Sequence, residues 1–184
     1  MKKILVTGAL LASMGASYAQ GYVGAVVQMS TYNNGDALCE AIAGVATGDC
    51  DKRANGKKIY FGSVLSESWA LEAAFVDFGK IKSTFTGPGG SVDVTGRATA
   101  FVAAAVLRAQ IRQLTLSGKV GVAAIKGRVK VPGVLTEESQ DPSLYLGAGL
   151  EYPVYRDVKI VGSYDFARAK MAGEKVGVSA FGLG

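Results

Sequence analysis

Apolar and polar residues alternate along most of this chain. Between Gly21 and Tyr32, one parity holds Val23, Ala25, Val27 and Met29, and the other holds Gly24, Val26, Gln28 and Ser30. From Trp69 to Phe75, Trp69, Leu71, Ala73 and Phe75 oppose Ala70, Glu72 and Ala74. From Leu116 to Ala124, Leu116, Gly118, Val120 and Val122 oppose Ser117, Lys119, Gly121 and Ala123. Near the end, Ile160, Gly162, Tyr164 and Phe166 oppose Lys159, Val161, Ser163 and Asp165. A period of two is the signature of β-strand, because successive side chains point to opposite faces. The pattern predicts eight strands, at 21–32, 57–66, 69–83, 94–108, 114–129, 142–153, 158–171 and 175–184.

The connections between them alternate in length. Asn33 to Asn55, Gly87 to Asp93 and Pro132 to Asp141 are expected as long loops; Ser66 to Ser68, Gln110 to Gln113 and Val154 to Asp157 are tight turns. Pro88, Pro132, Pro142 and Pro153 are expected in loops or at strand ends, where a sheet tolerates a missing N–H.

The contents of the two faces decide the environment. One carries Trp, Phe, Tyr, Leu and Val; the other carries the charges together with Gly, Ala and Ser. A soluble barrel is filled with large apolar groups and charged outside, and this pattern is inverted. Large groups facing acyl chains and small polar groups filling a narrow lumen are what a membrane barrel needs. Open sheet edges in hydrocarbon would leave backbone groups unpaired, so closure is expected. The reading is an all-β fold, an eight-stranded antiparallel up-and-down transmembrane β-barrel. Aromatic residues towards strand ends (Tyr60, Trp69, Phe78, Phe85, Tyr145, Tyr152, Tyr155, Phe166) are expected to form an interfacial girdle.

Composition sharpens this picture. Apolar residues make up 49% of the chain, yet the best continuous run after the first residues, Ala100 to Leu107, is under half of the roughly 18 a spanning helix requires. Lys2 and Lys3, the apolar stretch Ile4 to Met14, and Ser17-Tyr18-Ala19 before Gln20 read as a cleaved export signal over residues 1–19, leaving residues 20–184 as the barrel domain. Its removal takes Lys2 and Lys3 from the 20 basic residues, so 18 Lys and Arg face 15 Asp and Glu. That balance argues against nucleic acid as a partner. Export also implies an oxidising compartment, in which Cys39 and Cys50 are expected to close a loop as a disulfide. With no histidine and no second cysteine pair, no metal site is expected.

Parity places Glu72, Lys119, Glu151 and Lys159 inside, as a lumen charge network in which two carboxylates and two ammonium groups can pair. Whether Glu72 meets Lys119 or Lys159 is left open by the sequence.

Several stretches together resemble the OmpA-like family of small outer-membrane barrels. Trp69-Ala70-Leu71-Glu72-Ala73-Ala74-Phe75-Val76-Asp77-Phe78-Gly79-Lys80 resembles that family's third strand, and Leu144-Tyr145-Leu146-Gly147-Ala148-Gly149-Leu150-Glu151-Tyr152 its sixth. Tyr164-Asp165-Phe166 is similar to the seventh and Val176-Gly177-Val178-Ser179 to the start of the last. The resemblance implies a bacterial outer-membrane location. Three departures stand out. No periplasmic wall-binding domain is expected after the barrel. The chain ends Phe181-Gly182-Leu183-Gly184 without the family's terminal aromatic, an end expected to be clipped. Val161 stands where the family often has an interior arginine, a place Lys159 could fill.

Function follows as expectation. Enzymatic barrels of this size depend on a histidine base, which is absent, and Glu137, Glu138, Asp49 and Asp51 are expected in solvated loops. Gly87-Pro88-Gly89-Gly90 reads as a turn rather than a phosphate loop, and no cofactor is expected. The first reading is a monomeric structural or surface-interaction protein embedded in outer-membrane lipid and meeting a partner through its extracellular loops. The first loop, opening at Asn33-Asn34-Gly35 with an apolar middle from Ala37 to Val45, either packs over the barrel mouth or meets that partner. The alternative is a narrow pore for ions or small solutes, gated by the lumen charges.

Overall fold

A computed structural model describes residues 20–33, 47–50, 52–87, 90–131, 135–171 and 174–184. The expected export signal, the middle of the first loop and Cys39 lie outside the described residues, and of Cys50 only the backbone is described.

The strands are β1 (Gln20–Asn33), β2 (Thr47–Cys50), β3 (Arg53–Val64), β4 (Trp69–Gly87), β5 (Gly90–Ile111), β6 (Leu114–Val131), β7 (Leu135–Tyr155), β8 (Val158–Met171) and β9 (Glu174–Leu183). Every neighbour pairs antiparallel, and β1 joins β9 while β4 joins β5, so the sheet closes on itself. Short β2 pairs with the upper end of β4 in line with β3, so the wall has eight staves. The β1–β9 pairing runs from Val27 upward. At one end the connections are short: Ser66 to Ser68, Arg112-Gln113 and Arg156-Asp157. Arg112 and Arg156 take left-handed φ values of 56° and 41°, the twist that lets a two-residue turn follow the sheet. Short turns mark the periplasmic end of such barrels, so the opposite end is extracellular.

Three regions expected as loops contain strand, the first being Asn33 to Asn55, which holds β2 with Asp49 and the start of β3. β4 and β5 run up to Gly87 and Gly90, and β7 begins at Leu135, which takes Glu138 into the wall. Pro142 therefore sits inside β7 rather than at its end. It is paired with Ala124 on β6, while the pairing with β8 begins at Tyr145, so the missing N–H costs no ladder bond on that side. Pro153 lies at an irregularity of the β7–β8 pairing.

Alternation sorts the side chains by face. Val23 is 83% exposed and Val26 2%; Phe101 and Val122 stand outside while Val102 and Ala123 are buried. On β6 the outward apolar positions run from Leu114 to Ala124, a band about 25 Å tall once strand tilt is allowed for. The girdle is narrower than expected: Trp69, Tyr152 and Tyr155 are exposed near the periplasmic end, but Tyr60, Phe78 and Tyr145 are buried in the lumen.

Candidate functional site

The lumen is the candidate site, and its chemistry is set by inward positions of six strands. Glu72 on β4 and Lys119 on β6 reach across the small Ala104 of β5, and the Lys119 ammonium donates to both carboxylate oxygens at 2.8 and 2.6 Å. Lys58 on β3 spans the bore to β7 and β8, donating to the Tyr145 hydroxyl at 3.0 Å and to Asp165 at 2.8 Å. It also lies 3.8 Å from Glu72, which links the two pairs. The Tyr145 hydroxyl donates to the same Asp165 carboxylate. Tyr22 donates to Glu72 at 3.4 Å from below, and the Tyr60 ring lies 5.1 Å from the Lys119 ammonium.

Lys58, Glu72, Lys119 and Asp165 are each less than one-tenth exposed. Two ammonium groups facing two carboxylates cancel in charge, the condition under which ions can be taken out of water. Gly147 makes room for them: a Cβ there would lie 3.2 Å from the Asp165 carboxylate and 3.3 Å from both Lys119 and the Tyr145 hydroxyl.

The four candidates from the sequence fall into two groups. Glu72 and Lys119 are at mid-lumen. Glu151 and Lys159 sit lower, at the periplasmic mouth, 3.0 Å apart, where Arg108 adds a contact at 3.3 Å. The Lys159 side chain is 39% exposed, so this second group is wetted. Glu72 thus meets Lys119, and Lys159 belongs to Glu151.

Lys58, Tyr145 and Asp165 were not among the candidates. The alternation already put Asp165 on the Lys159 face, and Lys58 shares the parity of Tyr60, so both could have been added. That they meet depends on closure: the Lys58–Asp165 contact joins residues 107 apart in sequence. Beside this plug, Gln28 and Ser30 on β1 and Ser163 on β8 bury polar groups without a protein partner, flanking the small Ala180 and Gly182 of β9. No cluster of potential metal ligands occurs among the described residues.

A second polar zone lies outside. At a bulge between Asp77 and Lys80, where Gly79 has φ +85°, Asp77 caps the Gly79 N–H at 3.1 Å and takes two bonds from Arg97. The Tyr32 hydroxyl, inside, donates to the Gly79 carbonyl at 3.1 Å. Further round, Lys126 and Arg128 share Glu138. The Lys126 ammonium, with Arg128 beside it, holds the Glu138 carboxyl below the ordinary carboxylate range.

Comparison with known proteins agrees with this architecture. Residues 4–184 match the outer membrane protein beta-barrel domain family. Ail, the attachment invasion locus protein of Yersinia pestis, solved in complex with the heparin analogue sucrose octasulfate, superposes with a TM-score of 0.52 at 18% identity over 90% of this chain and 97% of that one. Neisserial surface protein A superposes with a TM-score of 0.52 at 12% identity over 89% and 96%. Among curated protein sequences, none matches this chain.

Proposed function

Since the chain belongs to the outer membrane protein beta-barrel domain family, we propose that it is a plugged barrel of the bacterial outer membrane whose work is done by its extracellular loops. One observation carries this reading: the neutral Lys58–Glu72–Lys119–Asp165 cluster, with Tyr145, is bonded across the bore at mid-height. An eight-stranded barrel is only just wide enough for its own side chains. A partner at the cell surface then meets loops held on a rigid wall, with no catalytic step and the protein acting as a monomer. The Cys39–Cys50 disulfide staples the first of those loops, and residues 1–19 direct export and are removed.

The second reading is a narrow pore. It draws on the unpartnered polar groups of Gln28, Ser30 and Ser163, which give the lumen a strip that water can wet. Single-channel recording in planar bilayers separates the two. Folded protein that stays silent supports the plug. Reproducible conductance steps that change with Glu72→Gln or Lys119→Met would overturn it in favour of a gated pore.

A further inference from the structure

The outer wall just above the apolar band carries an unbalanced block of charge. The last outward apolar residues of β3, β4, β5 and β6 are Ile59, Phe75, Phe101 and Ala124. Immediately above them Lys57, Asp77, Thr99 and Lys126 are cross-strand neighbours in one row. In the next row Lys80, Arg97 and Arg128 stand directly side by side, ending on Glu138. Among the described residues of these two rows five cations thus meet two carboxylates, Asp77 and Glu138, an excess of three positive charges.

Like charges directly opposite each other on neighbouring strands repel, and Asp77 and Glu138 offset only part of this block. The exposed ends of Arg97, Lys126 and Arg128 surround a recess of about 230 Å³ shared with Thr99, open to the outside of the wall. The charge is concentrated on this side: the first polar outward residues above the apolar band on β1 and β9 are Thr31 and Ser179, and β8 contributes the single cation Arg168 there. Its position is also specific, since the cations begin where acyl chains end on the extracellular half, at the level of outer-leaflet headgroups. Guanidinium groups match phosphate oxygens bidentately, and a boundary with hydrocarbon screens such contacts less than bulk water does.

We propose that the Arg97–Lys126–Arg128 recess on β5 and β6 binds a phosphate group of an outer-leaflet glycolipid. The acyl chains of that lipid lie against Phe101, Val122 and neighbouring apolar residues, while its phosphate bridges the cations left in excess by Asp77 and Glu138. This site faces the bilayer and is independent of the lumen and of whatever the loops bind.

Native mass spectrometry of the folded barrel, released from micelles after titration with lipid A, tests this. The wild type is expected to retain lipid A carrying both phosphates about tenfold better than the dephosphorylated lipid, the effect of losing one or two charge-assisted bonds. Lys126→Gln with Arg128→Gln should lower retention by a similar factor, and Glu138→Gln should raise it by freeing both cations. Millimolar inorganic phosphate should not displace the lipid. Equal retention of phosphorylated and dephosphorylated lipid overturns the proposal, as does an unchanged double variant that still migrates as a heat-modifiable folded barrel. If the double variant does not fold, Glu138→Gln decides alone, and absence of any gain overturns the site. Displacement by inorganic phosphate would make the recess a soluble-anion site and overturn its assignment to lipid.

Discussion

Removing the Glu72 carboxylate tests the mid-lumen cluster most directly. In Glu72→Ala, the Lys119 ammonium loses contacts of 2.6 and 2.8 Å and Lys58 loses its neighbour at 3.8 Å. Asp165 alone then faces two buried ammonium groups. The Tyr60 ring at 5.1 Å from Lys119 offsets part of this, but one positive charge remains uncompensated inside the bore. Breaking a buried pair in this way costs about 3–5 kcal/mol. With a urea dependence near ~2 kcal/mol per molar, the unfolding midpoint should fall by roughly 2 M. The protein's single tryptophan, Trp69, lies on the lipid-facing side and reports unfolding by fluorescence in vesicles. Glu138→Ala is the control, because its carboxylate is exposed and its partners remain solvated; its midpoint should barely move. The double variant Glu72→Leu with Lys119→Met removes both charges and leaves Lys58 balanced by Asp165. It should return to within about 1 kcal/mol of wild type, since apolar groups of similar size replace a buried pair at little cost. Equal midpoints for Glu72→Ala and Glu138→Ala would refute the assignment of Glu72 to a desolvated pair, and failure of the double variant to recover would refute the charge argument.

Further outcomes follow from other parts of the molecule. Val120 faces outward near the middle of the apolar band, so Val120→Arg should cost about 2–4 kcal/mol in refolding into lipid; a neutral effect would contradict a lipid-facing wall there. Gly79→Ala places a Cβ 2.3 Å from the Asn55 carbonyl at φ +85° and should cost about 1–3 kcal/mol in the same urea assay. Gly147→Ala should lower stability by about 1–3 kcal/mol in that assay, because the groups it presses on are held in the ion cluster and cannot yield freely; an unchanged midpoint would mean the cluster adapts. Maleimide labelling of denatured, unreduced protein should find no free thiol at Cys39 or Cys50, and two after reduction.

Much of this fold is written in the order of residues along the chain. Alternation alone separates lipid-facing from lumen-facing positions, because a pleated strand sends neighbours to opposite sides whatever it pairs with; hence Leu71 outside and Glu72 inside. β8 has its expected limits, and the absence of any long apolar run with so much apolar residue leaves strands as the way across. Where strands stop is less legible. The chain from Thr136 to Asp141 is polar and reads as loop, yet it extends β7 because β6 runs alongside and pairs with it continuously to Leu135. Pro142 lies beyond the part of β7 that pairs with β8, which begins at Tyr145, so no β8 ladder bond is lost there. What the tertiary structure alone decided is who meets whom. Register and closure bring Lys58 to Asp165 across the bore and leave Lys159 at the mouth with Glu151, and a bulge at Gly79 brings Asp77 to Arg97 on the outside. These partners are far apart in sequence, and parity names a face but not a height or an angle around the barrel. Those two coordinates exist only once the sheet has closed.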